Sequence, residues 1–100
     1  MIKVHDIDVI KQLVARAVKG EQTALVCLTQ RRVENFISEI KNSLFEQGAI
    51  YDYNVTNKTF LITCSGGKII VKHVLNCDSL RGLELDVIVA TDRDWETMSF

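Results

Sequence analysis

The stretch that most constrains the fold is Leu85-Asp86-Val87-Ile88-Val89-Ala90, an apolar run with three consecutive β-branched residues, preceded by a polar turn at Arg81-Gly82 and followed by Asp92 and Asp94. The run is too short for a helix and lacks the alternation of a half-exposed strand, so it reads as a strand buried on both faces. Such strands belong to parallel sheets. A parallel neighbour must be reached through a crossover of a dozen or more residues, normally a helix. The rest of the chain therefore has to supply amphipathic helices and further strands.

It does so in order. Ile7, Ile10, Val14, Ala17 and Val18 recur at spacings of three and four. Asp6 is the natural N-cap of that helix, Asp8 places negative charge in its first turn, and Lys19-Gly20 ends it. Thr23 to Leu28 is a short apolar run, read as a second buried strand. Thr29 then caps a helix whose stripe is Val33, Phe36, Ile37, Ile40 and Leu44, closing at Gln47-Gly48. Beyond Gly48 the pattern becomes strand-like. Ile50, Tyr51 and Tyr53 form one short strand, Asn54 to Lys58 is turn chemistry, and Phe60 to Cys64 faces Ile69 to Val74 across Gly66-Gly67. Two residues that tolerate positive φ between two β-runs define a tight hairpin. The expected fold is α/β: a small mixed sheet of four to five strands, including a hairpin, with two helices, in a single domain spanning residues 1–100.

Composition narrows the functional classes. Hydrophobic residues make up 47% of the chain, charged residues 25%, and there is no proline, which is ordinary for a folded globular domain. A formal net charge of −1 supplies no general pull toward nucleic acid or anionic membrane, although a local basic face is compatible with it. Cys27, Cys64 and Cys77 are an odd number without paired spacing, which favours a reducing, cytoplasmic setting. Cys27 and Cys64 lie in strand-like runs and read as small buried hydrophobes, whereas Cys77 sits in a polar loop. His5 and His73 stand without a C-x-x-C or H-x-x-H pattern, so neither zinc nor any other cofactor is expected. No apolar run is long enough to cross a bilayer, and no membrane partner is expected.

Each polar feature has a structural explanation to set against a functional one. Arg31 and Arg32 fall in the first turn of the second helix, where cations oppose the helix dipole at a cost of a few tenths of a kcal/mol. With Arg81, which turn chemistry does not require, they form the candidate contact surface for an acidic protein or nucleic acid. Asp92 and Asp94 form an acidic tip at the C-terminal end of the buried strand, where α/β proteins place ligand crevices. They are too few oxygen ligands to define a cation site. Glu84 and Asp86 share a face at strand spacing and extend that acidic candidate. Gly66-Gly67-Lys68 is explained by the hairpin, and His73 is a strand residue.

The sequence of phrases Ala24-Leu25-Val26-Cys27-Leu28-Thr29-Gln30-Arg31, Ser65-Gly66-Gly67-Lys68-Ile69-Ile70-Val71 and Leu80-Arg81-Gly82-Leu83-Glu84-Leu85-Asp86 resembles, over residues 9–95, the ATPase core of P-loop motor proteins, most closely the large subunits of phage terminases and helicase-like ATPases. The resemblance implies a truncated relative that begins about where the helix after the phosphate loop would begin. It also implies a phage or mobile-element origin. No G-x-x-x-x-G-K-[ST] is present, so the phosphate cradle is absent. Asp92 matches the magnesium-binding Asp of the family, but Arg93 stands where the catalytic carboxylate belongs, and a cation cannot orient the attacking water. The expectation is a non-catalytic interaction module that binds a protein partner or forms a homodimer. The alternative is a nucleic-acid-associated or metal-dependent component of a DNA-processing machine.

Overall fold

The computed structural model describes residues 2–5, 9–27, 29–73 and 85–90, with side-chain environments from residue 9 to residue 89 within those ranges. The elements in chain order are β1 (Ile2–His5), α1 (Val9–Val18), β2 (Gln22–Cys27), α2 (Gln30–Glu46), β3 (Tyr51–Asn54), β4 (Thr59–Ile62), β5 (Lys68–His73) and β6 (Val87–Ala90). They build one six-stranded sheet in the order β1-β6-β2-β5-β4-β3. The apolar run does become a central parallel strand: β6 lies between β1 and β2, with Ile88 opposite Lys3 on one side and Ala24 on the other. Val87, Ile88 and Val89 are all buried.

Both helices pack on one face of the sheet. Leu13, Val14 and Ala17 of α1 and Val33, Ile40 and Leu44 of α2 share a core with Leu25, Cys27, Ile69, Val71, Val87 and Val89. The alternate strand residues Ala24, Val26, Ile70 and Ile88 point to the opposite face and are buried there too. Thr29 caps α2 as expected: its φ of −130° is extended, and its hydroxyl accepts a hydrogen bond from the Arg32 amide at 3.2 Å. The helix ends where Gly48 takes a φ of +68°. The α1 end is fixed in the same way by Gly20 at φ +100°, whose amide donates to the Ala17 carbonyl at 2.9 Å.

The β4–β5 hairpin has Phe60 opposite Ile69, but its turn is not the tight two-residue one expected at Gly66-Gly67: the Ile62 amide donates to the Gly67 carbonyl at 2.8 Å, so residues 63–66 form a four-residue turn in which Gly66 takes a φ of +75° and Gly67 does not take positive φ. Gly67 is needed for a different reason. A Cβ there would lie 1.7 Å from the Ala17 carbonyl oxygen, because the hairpin turn is pressed against the last turn of α1. The Ser65 hydroxyl completes the junction, donating to that same carbonyl at 3.2 Å and accepting from the Gly67 amide at 3.2 Å.

The α/β class, a mixed sheet with a hairpin and two helices, is as expected, and three further details are corrected. The sheet has six strands, not four or five, because Ile2–His5 pairs in parallel with β6. The chain therefore does not open at a helix: a strand precedes α1. Cys64 is exposed, not buried, because β4 stops at Ile62 and Cys64 falls within the turn. Cys27 is buried, and the proposed N-cap Asp6 and Cys77 lie outside the described residues.

Candidate functional site

Of the sequence-derived candidates, Arg31 and Arg32 lie near the edge of the sheet where the parallel strands end. There β1, β6, β2 and β5 finish at His5, Ala90, Cys27 and His73. Arg31 and Arg32 follow β2 in the first turn of α2, which contains no acidic residue. Arg31 is exposed, while the Arg32 guanidinium lies 5.9 Å from the centroid of the Phe36 ring, a cation–π geometry that accounts for one face of that cation. Arg81, Glu84, Asp92 and Asp94 lie outside the described residues. Asp86 does not belong to this group. It precedes β6 at the opposite edge of the sheet, where its carboxylate accepts from the Gln22 amide at 2.8 Å and its own amide donates to the Gln22 carbonyl at 2.7 Å. That carboxylate fastens β6 to β2. Among the described residues no three His, Cys, Asp or Glu side chains converge as metal ligands.

A second region appears only in the structure. The wing formed by β3, β4 and β5 is antiparallel and has one covered face. On the helix side, Tyr51 and Tyr53 stack against Phe60 with ring centroids 5.5 and 4.5 Å away, and the Lys41 ammonium sits 4.5 Å from the Tyr53 centroid. Partial burial raises the Tyr53 phenol above its usual value of 10.0. The other side of the wing is an open groove of about 970 Å³, with Asp52, Asn54, Thr59, Leu61, Lys68 and Lys72 among its lining residues. Lys58 completes its rim from the β3–β4 turn.

The wing also carries the edge of the sheet. Among the described residues no strand lies beyond β3. The Ile50 carbonyl accepts from the Thr63 amide at 3.1 Å, so residues 50, 52 and 54 exchange hydrogen bonds with β4. Tyr51 and Tyr53 consequently turn their backbone N–H and C=O groups to the open side. Ile50 and Val55, which flank β3, are 71% and 75% exposed, and Phe45 near the end of α2 is 83% exposed.

No family model matches the chain, and no curated protein or solved structure matches it either. Among the described residues no helix is long and apolar enough to cross a membrane.

Proposed function

We propose that this domain is a non-catalytic interaction module on an α/β core of motor-ATPase type, of phage or mobile-element origin, which takes up an extended segment of a partner protein along β3. The observation that carries the reading is the edge left open among the described residues, where Tyr51 and Tyr53 offer a row of backbone donors and acceptors flanked by the exposed Ile50 and Val55, with Phe45 exposed near the end of the preceding helix. Strand addition draws its affinity from such main-chain groups and its selectivity from neighbouring side chains.

The connection between β1 and α1 is not a phosphate loop. A phosphate loop is an eight-residue motif between strand and helix. Here only Asp6-Ile7-Asp8 separates β1 from α1, three residues of which two are acidic and none is glycine.

Affinity capture from nuclease-treated native lysate, comparing the wild-type chain with Phe45→Lys/Ile50→Lys, tests the proposal. A stoichiometric partner lost by the double variant, together with slowed hydrogen exchange at the Tyr51 and Tyr53 amides in the complex, is the expected result. A partner retained in full by the variant, with those amides unprotected, would overturn it.

A further inference from the structure

The outer face of the wing is basic although the chain is not. Lys58, Lys68 and Lys72 line the groove with a single carboxylate, Asp52, while the whole chain carries a formal charge of −1. None of the three lysines makes a salt bridge among the described residues, where the ion pair is Arg16 to Glu21 at 3.5 Å. Lys68 and Lys72 lie four residues apart on β5 and so share the outer face, about 13 Å apart along the strand. Ile70 lies between them on that face with Thr59 opposite it and Leu61 opposite Lys68, and the side chains of Asn54 and Asn57 also line the groove.

The backbone adds an independent observation. Lys58 has a φ of +51°, the one non-glycine residue with positive φ among those described. Glycine or asparagine would occupy this left-handed position at lower cost, and Asn57 stands immediately before it. In this conformation the Lys58 carbonyl accepts from the Val71 amide at 3.0 Å, and the residue stands on the groove rim.

From the charge, the neutral donors and this rim lysine, we infer that the groove binds the phosphodiester backbone of a single-stranded nucleic acid. Lysines act as point charges toward phosphate, and Asn and Thr side chains are common phosphate partners. Three strands at about 4.8 Å spacing make a trough roughly 10–15 Å across, suited to one extended strand. Tyr53 and His73 are among the lining residues, but the Tyr51 and Tyr53 rings pack against Phe60 on the opposite face, so the groove has no tyrosine platform on which bases stack. Binding is therefore backbone-directed, independent of sequence, and confined to the weak range typical of non-specific contacts, with Kd roughly 10⁻⁴ to 10⁻⁶ M.

The test is fluorescence anisotropy of a labelled 15-mer of deoxythymidylate against salt. Three lysine–phosphate contacts on a single strand give a slope of log K against log salt of about −2, so affinity falls roughly a hundredfold for each tenfold rise in salt. Lys68→Gln/Lys72→Gln should bring the slope to about −0.7, a roughly fivefold fall over the same range. Lys58→Gly should lower the slope magnitude by about 0.7 while raising the thermal midpoint, because glycine relieves the positive φ. An unchanged slope in these variants, or no binding at low salt by a wild-type chain that is folded, would overturn the inference. Equal displacement of the oligonucleotide by poly-glutamate would also overturn it, in favour of an acidic protein. Capture of a partner along β3 is read separately, so the two assignments can fail independently.

Discussion

The parallel half of the sheet and its antiparallel wing are built from similar numbers of residues but by opposite rules. In β2 and β6 consecutive residues are buried, so both faces of the strands are closed and nothing protrudes that could meet a partner. In β3 and β4 burial alternates: Tyr53, Phe60 and Ile62 turn to the helices, while Asp52, Asn54 and Leu61 turn away. The first region holds the fold together. The second is attached to it through β5 and has spare surface, both an outer face and an edge. Uncovered backbone and side-chain surface is thus concentrated in the wing, and the closed half serves as its foundation.

The sharpest way to break this comparison is to attack the place where the two regions are clamped together. Gly67→Ala forces a methyl group into the Ala17 carbonyl, and neither backbone can move without opening the hairpin or the end of α1. The expected loss is ~3 kcal/mol or more, a large part of the stability of a domain this size, read by urea denaturation. Next comes a matched pair of leucines. Leu25→Ala, in the fully buried β2, should cost about 2–5 kcal/mol, whereas Leu61→Ala, 42% exposed on the wing, should change stability by no more than about 0.5 kcal/mol. Equal losses in the two variants would show that the wing is as much a part of the core as β2. The smallest effect is one of pH. Because burial raises the Tyr53 phenol, the folded state holds its proton more tightly than the unfolded chain does. That stabilisation is complete below the unfolded value of 10.0 and is lost as pH rises from there through the folded pKa. Tyr53→Phe should flatten the decline in denaturation midpoint above pH ~10, measured against wild type so that lysine titration cancels.

Much of the parallel half is legible in the sequence because its signals are local: the β-branched run of β6, the 3.6-residue periodicity of both helices, and Thr29 and Gly48 at the ends of α2. β1 is not. Ile2–His5 is four residues long, and it becomes a strand only by pairing with β6, near the other end of the chain. Cys64 was read as buried because an apolar run does not announce which residue starts the turn; the pairing fixed by Gly66 ends β4 at Ile62. The hairpin glycines show the same limit. Gly66 is needed for a conformation that the sequence suggests, but Gly67 is needed for a neighbour, Ala17, that only tertiary packing brings near. The basic groove was missed for that reason too. Lys58, Lys68 and Lys72 come from a turn and a strand, and no spacing rule gathers them.

The place of β6 between β1 and β2 also bears on how the chain is made. Its two neighbours leave the ribosome first, yet they do not pair with each other, and the strand that joins them is the last of the six to be synthesised. Until it arrives, β1 has no partner in the sheet and β2 has one open side. Folding must therefore wait for distant contacts that are slow to form, and the nascent chain exposes apolar strand edges in the interval. A chaperone that holds the chain until residue 90 has emerged would act on the step at which this topology is most vulnerable to aggregation.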